Sequence, residues 1–353
     1  MPHFRLYSFR GQPVLAVPRR PAALRRQAIE RYPVFTTNRA RWRKWMLRAQ
    51  SLHLTSLLGR TCSLDHLDSL WPGLAPCLDA IETHLNLGRL QPVIAWPSSK
   101  KQHRLYAFAF IDGGPTAFVK LSRHDKDRFQ FQRERDALER LRGGEGLGFK
   151  APRVLSFGTC GEVCYLATTM TPATLRPAGA SWAELRPLQQ RYSGPIRHVP
   201  ARELVTTGEL GPSEFTPSGT EPADEPWLRP LLDEPDRPIA VCAVHGDLQP
   251  NNVMRDGDDL WLIDWERAAK AAPVLVDGVS YFKSRHRALF QDQPDEGYAR
   301  LCRFCQEHEP KADALDIHAA FVYHRRRGDG TSVLHPLQVS QDALLHHALS
   351  PLH

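Results

Sequence analysis

The chain contains no apolar run of the roughly 18 residues needed to cross a bilayer, so a membrane-spanning protein is not expected. No basic-then-apolar leader ending in small residues opens it, which argues against secretion. Its seven cysteines are odd in number and scattered, so a secreted disulfide framework is not expected. A reduced, cytoplasmic protein is therefore expected. Acidic residues are almost absent from the first sixty positions, where thirteen Lys or Arg face a single acid, Glu30. That segment carries +12 against a formal net charge of +7, which leaves −5 for the rest of the chain. The basic character belongs to the N-terminal segment and not to the remainder. No internal repeat is present.

At 353 residues, with 42% hydrophobic and 24% charged side chains, the chain has the composition of an ordinary globular protein of two or three units. Residues 1–90 read as a basic helical extension. In RARWRKWMLRAQSLHLTSLLG, Trp42, Trp45, Met46, Ala49 and Leu52 recur at helical spacing. LDHLDSLW and CLDAIETHLNL read as two shorter helices, with Pro72 and Pro76 in the break between them. From Pro92 the period becomes two. PVIAWPSS, HRLYAFAFID and TAFVKLS read as strands, the last two joined at Gly113-Gly114, and DRFQFQRERDALERLRG as a charged helix. PRVLSFG and VCYLATTM follow as two more strands, so residues 91–171 form an antiparallel sheet with one inserted helix. Residues 172–240 read as irregular, with GELGPSEFTPSGTEPADEP as a surface loop that suits a lid. Beyond Asp264 the pattern turns helical again.

The stretch AVHGDLQPNNVM concentrates chemistry inside core-like sequence. VCAV is apolar, His245-Gly246-Asp247 leaves it as a loop, and NNVM re-enters the core. LWLIDW reads as a strand with Leu260 and Leu262 on one face and Asp264 at its end. Acid, amide and acid thus meet at the mouth of a hairpin. Asn252 and Asp264 offer hard oxygens to Mg²⁺, and Asp247 suits the deprotonation or orientation of a hydroxyl. The pattern H-x-D-x-x-x-x-N followed by a strand-terminal Asp resembles the protein-kinase catalytic loop. With Gly246 in the middle position and IDWE after it, the chain is similar to the aminoglycoside phosphotransferase and choline kinase-like family over about residues 92–290.

That resemblance implies an α+β, two-lobed protein-kinase-like fold: a small antiparallel sheet lobe at 91–171 and a mainly helical lobe at 172–353, with the helical N-terminal region added. It also implies Asp247 as the catalytic base, Asn252 and Asp264 as metal ligands, and His245 as a prop for the loop. Such a site needs a lysine for the phosphates and a carboxylate to hold it. Lys120 lies inside the apolar strand TAFVKL. Phe131, Glu134, Leu138 and Leu141 share one helix face, where an unpaired charge is costly, so Glu134 is expected to pair with Lys120. The alternative is a snorkelling Lys120 and a surface pair of Glu134 with Arg133 or Arg135. Thr169, Met170 and Thr171 fall where an adenine would meet backbone, and their types do not discriminate ATP from GTP. WPSSKKQHR lacks the glycine of a phosphate-covering loop, which leaves Ser98, Ser99 and backbone N–H groups, with Lys100 or Lys101, for that task. Asp277 matches a helix-start Asp of the family and reads as an N-cap or a brace for the loop. Cys302, Cys305 and His308 lack a second ligand pair and read as ordinary helix residues.

The resemblance implies a small-molecule hydroxyl acceptor. Asp292, Asp295, Glu296, Glu307 and Glu309 allow an acidic pocket for a cationic one, whereas HRRRGDG from His324 favours an anionic one. The balance leans to a sugar or glycan-type metabolite. The basic segment at 39–60 reads as packing on a neighbouring domain, as peripheral contact with anionic lipid at the inner membrane surface, or as polyanion binding; no specific nucleic-acid motif accompanies it. A non-catalytic nucleotide-binding scaffold and a protein or peptide kinase are the rival readings.

Overall fold

The computed structural model describes residues 3–9, 11–19, 60–85, 91–96, 103–111, 114–206 and 228–326. They divide into two compact units, residues 1–135 with 152–175 and residues 136–151 with 176–353. The first is built on an antiparallel sheet and the second is mainly helical, so the expected α+β, two-lobed organisation is borne out. Among the described residues no helix is long and apolar enough to cross a membrane.

The first unit contains strands β1 (His3–Phe9), β2 (Gln12–Pro18), β3 (Arg60–Ser63), β4 (Gln91–Ala95), β5 (Arg104–Ile111), β6 (Gly114–Ser122), β7 (Val154–Cys160) and β8 (Val163–Thr169). They form one eight-stranded sheet in the order β3-β1-β2-β4-β5-β6-β8-β7. Helices α1 (Leu64–Leu70) and α2 (Leu74–Leu85) follow β3, and α3 (Asp125–Leu141) follows β6. Strand alternation sorts the side chains onto two faces. Ala16, Ile94, Leu105, Ala107, Val119 and Leu121 join Leu67 of α1, Leu74 and Ile81 of α2, and Trp71 between the two helices in one core. Leu15, Val17, Val93, Phe108 and Phe110 form another cluster.

The helical character expected of residues 1–90 is present in α1 and α2 but not at the opening of the chain, where β1 and β2 are strands. Phe4 and Leu6 bury into the α1 and α2 core at a period of two, a short signal outweighed in the sequence by the arginine-rich segment that follows. Of the basic helix at 39–60, only Arg60, in β3, belongs to the described residues.

The second unit contains β9 (Arg176–Pro177), α4 (Trp182–Ser193), β10 (Arg197–Pro200), α5 (Ala201–Thr206), α6 (Arg229–Asp233) and β11 (Pro238–Val244). They are followed by β12 (Val253–Asp256), β13 (Asp259–Leu262), β14 (Ala269–Pro273), α7 (Val276–Arg285), α8 (Arg287–Asp292), α9 (Pro294–His308) and α10 (Ala314–Arg326). Two three-stranded sheets, β10-β11-β14 and β13-β12-β9, sit in this unit. The irregular reading of 172–240 is corrected by α4, β10, α5, α6 and β11. Pro187 inside α4 masks that helix in the sequence, yet Ser181 and Glu184 close a capping box and Trp182, Leu185, Leu188 and Tyr192 bury one face. The acidic stretch expected as a lid, 208–226, lies outside the described residues.

Beside β5 and β6, Arg104 and Asp127 are both 3% exposed and form an ion pair, and Ser122 Oγ donates to Asp127 Oδ2 at 2.6 Å. Burial pushes the Asp127 carboxyl up, but the bonds from Arg104 and Ser122 outweigh it and hold the group below its ordinary value. Removing one partner of a buried pair strands the other charge. Asp127→Ala is expected to cost about 3–5 kcal/mol of stability, read from the urea midpoint of the purified protein.

Candidate active site

In the first unit, the period of β6 decides where Lys120 points. Ala117, Val119 and Leu121 join the core of α1 and α2, so Lys120 projects to the opposite face. Phe131 of α3 packs with Cys164 and Leu166 of β8, and Lys120 is paired in register with Leu166. Glu134 lies one helical turn from Phe131 on that same face. Lys120 Nζ donates to Glu134 Oε2 at 2.7 Å, with Lys120 only 7% exposed and Glu134 4%. The alternative of a snorkelling lysine with a surface pair for Glu134 therefore does not describe this structure. Thr169, Met170 and Thr171 follow at the end of β8. Thr169 is fixed by paired bonds, its N–H to Arg153 O at 2.8 Å and Arg153 N–H to its Oγ1 at 2.9 Å. Met170 packs against the Phe108 cluster. Ser98 and Ser99 lie outside the described residues.

In the second unit, β11 ends at Val244 and delivers His245-Gly246-Asp247 as a turn. Gly246 has φ of +78°, and a Cβ placed there would lie 2.1 Å from the carbonyl oxygen of Arg267, so only glycine fits. Asp277, fully buried, holds this turn from below. Its Oδ2 accepts from Tyr192 Oη at 2.7 Å and from the His245 N–H at 3.0 Å, and its Oδ1 accepts from the Gly246 N–H at 2.8 Å. Of the two sequence alternatives for Asp277 the brace is realised; the residue preceding α7 is Leu275, which makes no side-chain cap.

His245 is satisfied at both ring nitrogens. Its Nδ1 accepts from the Asp247 N–H at 3.3 Å, so Nε2 carries the hydrogen and donates to Ile263 O at 3.0 Å. Burial holds this imidazole below its ordinary pKa, against the raising influence of Asp277 and the Ile263 carbonyl. The ring is neutral and links the Asp247 turn to the segment before Asp264. Trp265 supports it, with ring centroids 4.3 Å apart.

Asn252 donates through Nδ2 to Asp247 O at 2.8 Å and to Asp247 Oδ2 at 3.3 Å, and its backbone carbonyl accepts from the Ile263 N–H at 3.1 Å. With Nδ2 engaged, Oδ1 is the atom that Asn252 can offer a cation. β13 stops at Leu262, two residues before Asp264, a correction to the strand expected to end on it. Asp264 instead takes φ of +66°, which is uncommon for a non-glycine residue and concentrates at functional sites. Asp264 and Asn252 thus supply carboxylate and amide oxygens, a donor set that fits a hard divalent cation such as Mg²⁺.

Asp247 is 19% exposed at its side chain, and its carboxyl is pushed up to about 7. Burial is the chief cause, Asp264 and Glu266 add to it, and Arg267 and Gln249 oppose it. Gln249 Nε2 donates to Asp247 Oδ2 at 3.0 Å, and Arg267 Nη1 lies 3.9 Å from Oδ1. The sequence reading missed both; Gln249 was visible two residues downstream, whereas Arg267 is twenty residues away and found only by folding. Cys302 and Cys305 are core residues of α9, where burial pushes the Cys302 thiol up to about 12 and raises that of Cys305 as well.

A family model described as the phosphotransferase enzyme family matches residues 182–315, which contain the loop, the brace and Asp264. The similarity drawn from the catalytic-loop residues is thereby borne out. No curated protein matches the sequence. Among solved structures, aminoglycoside phosphotransferase APH(3'')-Id from Streptomyces rimosus ATCC10970 is 17% identical with a TM-score of 0.41, over 72% of this chain and 97% of that one. Aminoglycoside phosphotransferase APH(4)-Ia is 11% identical with a TM-score of 0.46, over 71% and 88%.

Two outcomes follow from this geometry. Gly246→Ala forces both a left-handed alanine and displacement of the Arg267 carbonyl, and is expected to cost about 2–4 kcal/mol in urea unfolding. The His245 ring, held below the unfolded value near 6.5, contributes stability that is whole above that pH and is lost as the pH falls below it. The unfolding midpoint of the wild type should therefore fall more steeply on acidification below about 6.5 than that of His245→Gln.

Proposed function

We propose, from the premise that the chain is a phosphotransferase of the kinase-like kind, that it moves the terminal phosphoryl group of ATP to a hydroxyl of a small molecule, a sugar or glycan-type metabolite. The observation that carries the reading is the braced loop: Asp247 is partly exposed, bonded to Asn252 and Gln249, and fixed through Asp277 beneath it. In this reading Asp247 orients the acceptor hydroxyl and receives its proton. A carboxyl near 7 is matched to that task, since a base is most effective when its pKa lies close to the working pH.

Lys120, fixed by Glu134, binds the nucleotide phosphates, and Thr169 to Thr171 meet the base through backbone groups. Asn252 and Asp264 hold Mg²⁺, which when bound supplies neutralisation of the charge on the phosphate oxygens. Positioning and electrostatics do most of the work, because phosphoryl transfer demands little covalent chemistry from the protein. The identity of the acceptor as a sugar, and peripheral contact of residues 39–60 with anionic lipid or another polyanion, rest on sequence pattern alone.

The test is a metabolite-pool phosphorylation screen with labelled ATP, using Asp247→Asn as the blank. Label should appear on a small hydroxyl compound and fall at least about 10²-fold in the variant, with nucleotide binding retained. Nucleotide binding without turnover in the wild type would establish the scaffold reading, and label on polypeptide the protein-kinase reading.

A further inference from the structure

The two carboxylate oxygens of Asp247 meet different neighbours. Oδ2 accepts from Gln249 Nε2 at 3.0 Å and from Asn252 Nδ2 at 3.3 Å. Among the described residues no hydrogen bond reaches Oδ1, and its ionic neighbour Arg267 stands off at 3.9 Å. A carboxylate turns readily about its last side-chain torsion, which is broad and nearly two-fold, so its oxygens exchange places unless a donor fixes one of them. Gln249 is the closer donor, since Asn252 Nδ2 lies nearer the Asp247 carbonyl oxygen, at 2.8 Å, than the carboxylate.

Gln249 is itself held by its backbone. Its carbonyl accepts from the Asn252 N–H at 2.8 Å, which closes a β-turn with Pro250 in the second position. The proline ring presets the turn and narrows the backbone choices of Gln249 before it. From that anchor the glutamine side chain brings an N–H back to the carboxylate two residues earlier. Glutamate has the same reach but an oxygen in place of the donor, and methionine has no donor at all.

We infer that Gln249 is a positioning residue whose bond to Oδ2 fixes the carboxylate plane of Asp247, so that Oδ1 is the oxygen presented to the acceptor hydroxyl. This rests on the phosphotransferase reading and divides the work of Asp247 between its two oxygens. Oδ1 accepts a hydrogen bond from the hydroxyl and so aligns its oxygen. As that oxygen bonds to the terminal phosphorus of ATP, the bond from phosphorus to the bridging oxygen breaks. The hydroxyl proton passes to Oδ1, and ADP departs with the bridging oxygen. Gln249 acts only through Asp247, by holding Oδ2 while Oδ1 changes partners.

The experiment follows ADP release from Mg-ATP by the full-length protein, with a metabolite pool supplying hydroxyl acceptors. It compares the wild type with Gln249→Met, Gln249→Glu and Gln249→Lys. Methionine removes the donor, glutamate puts a like charge against Asp247, and lysine returns an N–H donor. In Gln249→Met and Gln249→Glu, kcat should fall at least about tenfold, because a small misplacement of a reacting group is costly. KM for ATP should stay within about twofold of the wild type. Gln249→Lys should recover part of the lost kcat. The split separates orientation from a merely structural role, since Asn252 shares this turn and a general collapse would raise KM for Mg-ATP as well. Gln249 is half-buried, so a thermal melt establishes that each variant is folded, and the comparison of three side chains does not hang on any one of them.

The inference is overturned if a folded Gln249→Met keeps the wild-type kcat, if lysine recovers nothing over methionine, or if kcat and KM change together in the folded variants. Loss of the phosphotransferase reading is a separate result that takes the inference with it, seen as no ADP release by the wild type before any variant is compared.

Discussion

The buried carboxylate of Asp277 is the constraint from which the geometry around Asp247 follows. Three donors converge on it, two of them backbone N–H groups of the turn that carries Asp247. A charge at that depth is tolerated only because each oxygen is occupied, and the turn in exchange cannot relax without leaving a carboxylate unsolvated. Gly246 completes the constraint from above, pressed against the Arg267 carbonyl where no side chain fits. The loop is thus held by backbone geometry, and the side chain of Asp247 is free to meet other groups.

His245 transmits that rigidity sideways. Its neutral ring accepts from the Asp247 N–H and donates to Ile263 O, joining the turn to the chain that leads into Asp264. Asn252 repeats the link through its own carbonyl and the Ile263 N–H. Three neighbouring segments are thereby tied by the His245 ring and one main-chain bond, and Asp264 is presented from a left-handed conformation that an unconstrained chain would avoid. The electrostatic consequence is visible at Asp247, whose carboxyl rises to about 7 through burial and the neighbouring acids.

Sheet period and helix period explain the Lys120 and Glu134 pair in the same terms. Both residues break an apolar pattern, one at a spacing of two and the other at three or four, and a charge placed in either core face needs a partner. The sequence contained that argument in full, since Lys120 and Glu134 each interrupt an apolar face. The opening strands were not legible for the opposite reason. Phe4, Leu6, Leu15 and Val17 alternate over only a few residues, and the pair of strands they form is flanked by β3 and β4, which lie far along the chain. The helix at Trp182–Ser193 was hidden by Pro187, whose cost is offset by a capping box and a buried face that local sequence does not reveal.

What the sequence determined by itself was the chemistry of the loop, because His245, Asp247, Asn252 and Asp264 lie within twenty residues of one another and their spacing alone brings acid and amide to one hairpin. It also determined that Asp277 had a structural task, though not which. Only the tertiary structure decided the groups that tune Asp247 and face its surroundings. Arg267 reaches Asp247 across twenty positions, and Tyr192 reaches Asp277 across 85. The physical reason is range: backbone turns and hairpins are fixed by neighbours, whereas the field at a buried group is the sum over every charge that packing brings near it, and that sum has no local pattern.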